Sequence, residues 1–114
     1  MLKIYHNPRC KTSRAGLEVL KASGKEFEIV EYLKNPLTAN EIKSLIRKTG
    51  LQAKDVVRTQ EAYYKENLKG KNLTEEQWIE AITIEPKLLQ RPIVETDHKA
   101  VIAKPVENIH SLWI

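Results

Sequence analysis

Two hydrophobic rhythms run along the chain. Residues 2–6 (Leu-Lys-Ile-Tyr-His) and 27–32 (Phe-Glu-Ile-Val-Glu-Tyr) alternate apolar and polar positions, which predicts two short strands. Between them, from Lys11 or Thr12 to Ala22, the residues Leu17, Val19 and Leu20 with Ala15 and Ala22 form an apolar stripe at helical spacing, and Ser23-Gly24 stops it. Strand, helix and strand follow one another closely enough for a single right-handed crossover, so the two strands should be parallel.

After the break at Asn35-Pro36 the pattern turns helical. Thr38 and Glu41 match a capping box that opens a helix to about Lys48, ending near Gly50. Residues 55–58 read as a short turn or helical piece, and 61–68 as a further helix closed by Gly70. Thr74 and Gln77 form a second capping box, with Trp78, Ile79 and Ile82 facing inward along the helix that follows; Pro86 ends it or starts a turn over 86–89. Ile93-Val94-Glu95 is a third strand, 96–99 a hairpin connection and 100–103 the returning strand. Pro105 suits the first turn of a closing helix through Leu112. The order β-α-β, helical block, β-β-α is that of an α/β thioredoxin-like fold: a mixed four-stranded sheet in one domain over residues 1–114, with a helical insertion at about 36–90. Pro92, at the start of the third strand, is a candidate for a cis peptide, since cis bonds belong to proline.

Composition narrows the function. With 41% hydrophobic and 30% charged residues in 114, the chain reads as a soluble globular protein with a single core. No apolar run approaches the roughly 20 residues of a membrane span. The N-terminus enters a strand pattern directly, without a secretory apolar stretch, so a cytoplasmic location is expected. The net charge is +4, but Lys and Arg are interleaved with Glu, as in 26–31 and 61–66, rather than gathered with aromatics, which argues against nucleic-acid binding. Trp78 and Trp113 sit among aliphatic residues and are expected in the core. No His, Cys or carboxylate set has ligand spacing, so neither a metal nor a tightly bound cofactor is expected.

Cys10 is the only cysteine. It lies in His6-Asn7-Pro8-Arg9-Cys10-Lys11-Thr12-Ser13-Arg14, at a strand-to-helix turn where free backbone N–H groups and the positive helix end converge. An ordinary thiol ionises at about 8.5, so such a turn favours the thiolate, and the same N–H groups can hold an oxyanion. Arg9, Lys11, Arg14 and His6 are local candidates for a supporting cation. His6 reads equally as a thiolate partner or as a polar strand end. Asn7 suits hydrogen bonding within the turn, and Pro8 fixes its backbone. Ser13 stands where a CxxC protein carries its second cysteine; its hydroxyl can donate to sulfur but cannot resolve a mixed disulfide, so any second thiol comes from another molecule. Topology brings Arg91 close to the first strand's loop. Arginine's rigid fork of donors suits tetrahedral oxyanions, although Arg58 and Arg91 read singly as surface ion pairs. His98 and His110 read as surface residues.

Taken together, His6 to Arg14, Val57-Arg58, Leu88-Leu89-Gln90-Arg91-Pro92-Ile93-Val94 and Lys104-Pro105 resemble, in order and over almost the whole chain, the glutaredoxin-dependent arsenate reductases. The resemblance implies that Cys10 attacks arsenate, that glutathione as co-substrate then displaces the thiolate–arsenic adduct, and that glutaredoxin completes reduction to arsenite. It implies oxyanion binding by Arg58 and Arg91, substrate contacts from Asn7, Arg9, Lys11, Thr12, Ser13, Arg14 and Lys104, thiol tuning by His6 and Ser13, a cis Pro92 and a monomer. Lys104 replaces an arginine of the better-studied members, keeping charge but losing the fork. The chain stops soon after Trp113, which resembles a short, arsenate-reductase-like branch. Two other expectations stay open: a glutathione-linked oxidoreductase acting on small mixed disulfides, and an RNA polymerase-binding regulator of the same fold. Ser13 removes the CxxC switch that the regulator uses.

Overall fold

Short strands and one long crossover helix build the part of the molecule that carries Cys10. In the computed structural model, which describes residues 2–113, strands β1 (Lys3–Tyr5), β2 (Glu28–Val30), β3 (Ile93–Glu95) and β4 (Ala100–Ile102) form one sheet in the order β2-β1-β3-β4. β1 pairs with β2 in parallel and with β3 antiparallel, placing Ile4 between Ile29 and Val94. β3 and β4 are antiparallel neighbours. Helix α1 (Lys11–Ala22) makes the crossover between the parallel strands. The result is the mixed four-stranded α/β sheet expected of a thioredoxin-like chain.

Ile4 and Val94 from the sheet, Leu20 from α1, Ala103 and Ile109 are fully buried together, with Leu17, Phe27, Val106 and Leu112 packed around them. Val106, Ile109 and Leu112 recur every third residue. This spacing explains why the closing segment, Val106–Trp113, is a 3-10 helix and not the α-helix its composition suggested: at three residues per turn those side chains fall on one side. Pro105 precedes this helix, after a cis Lys104–Pro105 bond, instead of occupying its first turn. Trp113, expected in the core, is 36% exposed, with Lys25 Nζ 4.8 Å from its ring centroid. β2 is shorter than the alternating run 27–32, because Glu28 and Ile29 are exposed on an edge strand.

Contacts divide the chain into two compact units, Met1–Asn35 with Arg91–Ile114, and Pro36–Gln90. Within the second, α2 (Ala39–Thr49) and α3 (Glu75–Ile84) pack together. Both start with the predicted capping boxes: Glu41 N–H donates to Thr38 Oγ1 at 3.1 Å and Gln77 N–H to Thr74 Oγ1 at 3.2 Å. The base of this unit is a small clasp in which Val57 bridges Leu89, Arg58 N–H donates to Leu88 O (2.7 Å) and Gln90 N–H to Val56 O (2.8 Å). The region read as a helix over 61–68 is helical from residue 62, but residues 62–63 pass at once into a π-turn, Tyr64–Leu68. Only Leu68 in it is buried, so there is no apolar stripe to hold an α-helix. Trp78 is half-buried on α3.

Candidate active site

The site is assembled where β1 runs into α1. His6 N–H donates to Val30 O (2.9 Å), prolonging the parallel pairing by one residue. The chain then turns: Cys10 N–H donates to Asn7 O (3.0 Å) and Arg9 N–H to Asn7 Oδ1 (3.1 Å). Asn7 therefore organises the turn, as its residue type suggests. Ser13, on the first turn of α1, is completely buried. Its Oγ accepts from Asn7 N–H (2.9 Å) and lies 2.7 Å from His6 Nδ1. One hydroxyl thus ties the helix start to the strand end.

Cys10 is the N-cap residue of α1, in extended conformation. Its sulfur takes the place that a capping oxygen occupies in most helices. No full side-chain capping bond closes, yet the N–H dipoles behind it act on the sulfur. Burial raises the thiol pKa; the Ser13 N–H, the hydrogen-bonding Arg91 side chain, the Thr12 N–H and the Arg91 charge together outweigh it, so the pKa falls below its ordinary 9.0. Arg91 precedes cis Pro92 at the head of β3, which is the placement topology suggested. On the other side of Pro92, Gly16 of α1 comes so close that a Cβ there would lie 2.7 Å from Pro92 Cγ.

Two expectations need correction. Ser13 reaches the sulfur through its backbone N–H, while its hydroxyl is engaged by His6 and Asn7, because the side chain points back towards the strand end. His6 is not a cationic partner. It is 4% exposed, and desolvation, the largest influence, lowers its pKa below 6.5; Glu31 and the Ser13 hydrogen bond oppose this, and Arg14 and Lys21 add to it. A neutral imidazole leaves Arg91 as the cation at the thiolate.

The remaining basic candidates stand differently. Arg9, Lys11, Arg14 and Lys104 are exposed. Arg14 Nη1 donates to Pro8 O (2.9 Å), so this guanidinium braces the turn. Thr12 is half-buried and contributes its N–H. Arg58 lies in the second unit, where its Nη1 donates to Glu61 Oε2 (2.5 Å). Glu61 is absent from the expected site, and its only sequence signal is the i,i+3 spacing after Arg58. Among the described residues, no group of His, Cys, Asp and Glu could hold a metal, and no helix is long and apolar enough to cross a membrane.

The profile of the ArsC family matches residues 5–112, from the end of β1 through the closing 3-10 helix. The chain belongs to the ArsC family. An arsenate reductase of Neisseria meningitidis serogroup A is 41% identical over 113 residues, covering 97% of both chains. The uncharacterized protein YfgD of Escherichia coli K12 is 44% identical over 110 residues, 95% of this chain and 92% of its own. Among solved structures, an arsenate reductase from Vibrio cholerae superposes with a TM-score of 0.92 at 33% identity, covering 96% of this chain and 95% of that one. Family membership therefore extends over both the Cys10 turn and the Arg91–Pro92 segment.

Proposed function

We propose that the protein reduces arsenate to arsenite through a Cys10–arsenic adduct, with glutathione and glutaredoxin as the external thiols. The observation that carries this reading is the Cys10 sulfur at the N-cap of α1, where the Ser13 and Thr12 N–H groups and the Arg91 side chain lower its pKa against the effect of burial. Relatives named arsenate reductase, at 41% identity over nearly the whole chain, support the substrate.

The chemistry follows from the residues available. Cys10 thiolate attacks arsenic(V), and one arsenate oxygen leaves as water after protonation. Arg91 and the N–H groups of the α1 first turn balance the charge on the remaining oxygens. Reduction to arsenic(III) takes two electrons, which one cysteine cannot provide as a disulfide. A glutathione thiol supplies the second sulfur: arsenite departs and the Cys10–glutathione disulfide holds the two oxidised sulfurs. Glutaredoxin then exchanges that disulfide and returns Cys10 to the thiol. In this reading Arg91 and Arg58 are the oxyanion contacts: the Arg91 side chain at the Cys10 sulfur supports the first, and the place of Arg58 in the family pattern supports the second. Asn7, Thr12 and Ser13 shape the cradle through their backbone.

The test is arsenate-dependent glutathione oxidation in the presence of glutaredoxin. Wild type is expected to turn over and Cys10→Ser to be inactive; equal rates for the two proteins would exclude the mechanism. Faster turnover of a small glutathionylated disulfide than of arsenate would transfer the same thiol chemistry to another substrate.

A further inference from the structure

The cation beside the sulfur has a second cation for a neighbour. In the antiparallel pairing of β3 with β4, Ile93 faces Ile102 and Glu95 faces Ala100. Ala103 N–H donates to Pro92 O (2.9 Å), so the ladder continues past the strand ends. The next step in the same register sets Lys104 opposite Arg91. Directly opposed side chains share one face of a sheet, and like charges in that position are destabilising. The backbone there is held as well: Asn108 Nδ2 donates to Ile102 O (3.1 Å) and to Lys104 O (3.3 Å). Two positive residues are thus brought together, against their repulsion, at the end of the sheet that carries Cys10.

The two differ in what they meet. Arg91 is half-buried and hydrogen-bonds the Cys10 sulfur. Lys104 is exposed, and among the described residues it enters no ion pair. Lys21, Lys34 and Lys43, also on the surface, each lie within 3.6 Å of a glutamate. A lysine opposed by an arginine and answered by no carboxylate of its own chain suits an anion from outside. Its ammonium is a point charge on a flexible stem, so it follows a mobile carboxylate better than it frames a tetrahedral oxyanion, which calls for arginine's fork.

We propose that Lys104 is a specificity-determining residue for the external thiol: beside Arg91, at the exposed rim of the Cys10 site, it binds a carboxylate of the incoming molecule and favours anionic thiols over neutral ones. Glutathione, with two carboxylates, meets this requirement. Arg91 attends to the sulfur and Lys104 to the molecule arriving from solvent. A charge at such a rim acts chiefly on encounter, so its effect falls as salt rises. The inference rests on the reading of Cys10 as a nucleophile resolved by a thiol from another molecule.

The experiment reads this selectivity without arsenate, by reacting Cys10 of the full chain with two chromogenic disulfides. Dithiobis(nitrobenzoate) carries a carboxylate on each ring; dithiodipyridine is neutral at pH 7. With either probe the Cys10 thiolate attacks one sulfur, the disulfide bond breaks and the coloured half leaves, and the chain has no other thiol to confuse the signal. The ratio of the two rates cancels the thiolate fraction, so a shift in the Cys10 pKa does not move it. Lys104→Gln should lower the anionic-to-neutral ratio by about threefold or more, and Lys104→Arg should retain it. Raised salt should shrink the difference between wild type and Lys104→Gln. Lys25→Gln, the same charge change beyond the far end of α1, should keep the wild-type ratio. An unchanged ratio in Lys104→Gln, a parallel fall in both rates, or an equal fall in Lys25→Gln would overturn the inference. In arsenate turnover Lys104→Gln should raise KM for glutathione more than KM for arsenate; the reverse order would assign Lys104 to the oxyanion and overturn the inference too. A wild type that turns over no arsenate, with the disulfide ratio still set by Lys104, would overturn the arsenate reading and leave the preference for anionic thiols standing.

Discussion

The chain has a single thiol, and its surroundings set when it is charged. Arg91 both hydrogen-bonds the sulfur and faces it with a positive charge, against a desolvation that works in the opposite direction. Removing the arginine leaves the burial in place. We therefore expect Arg91→Ala to shift the pH midpoint of Cys10 alkylation upward and to slow alkylation at pH 7 by about tenfold, as a charge-assisted bond to sulfur is lost. Iodoacetamide rates between pH 5 and 10 measure this directly; superimposable profiles for the two proteins would mean that the N–H groups of Ser13 and Thr12 suffice. His6 illustrates what residue type alone does not reveal. Its place before the turn suggested a role beside the thiol, but its neutrality follows from burial, which depends on residues far away in the chain.

At the level of elements, local signals were legible and distant ones were not. The capping boxes of α2 and α3 are written within four consecutive residues, and both form as the side chains dictate. The π-turn Tyr64–Leu68 and the 3-10 helix Val106–Trp113 answer to packing, so an apolar count along the chain assigned them to the wrong kind of helix. The approach of α1 to β3 belongs to the same class. It hinges on Gly16, whose missing side chain admits the Pro92 ring. Gly16→Ala should destabilise the protein by about 1–3 kcal/mol, the range for overpacking a tight contact, despite alanine's better helix propensity. Urea midpoints will show this, and a stabilised variant would mean that the contact relaxes without cost.

For the whole molecule, the buried imidazole couples folding to acidity. His6 has a folded-state pKa below its ordinary 6.5, so the unfolded chain binds its proton more readily. The stability it contributes is present above about pH 6.5 and is lost as pH falls through the folded value. Cys10, whose pKa is also lowered, acts in the same direction from its ordinary 9.0 downward. Stability should therefore decline between pH 7.5 and 5.5, and His6→Gln, which keeps a partner for Ser13, should decline less. Equal slopes in chemical denaturation at the two pH values would remove His6 from the account. The β-α-β and β-β-α halves, their shared sheet and the meeting of Arg91 with the Cys10 turn were all legible from element order, because chain topology leaves few ways to close such a sheet.

The close fit of Gly16 to Pro92 carries an evolutionary corollary. The ring occupies the volume that any larger residue at position 16 would need, and its neighbour in the chain is the guanidinium beside the sulfur. A lineage that fills the helix position must first vacate the proline, and in doing so shifts the arginine that precedes it. Positions 16, 91 and 92 should consequently change in concert among descendants or not at all, and a homologue that retains the thiol and the arginine–proline pair yet bears a branched side chain at 16 would contradict this.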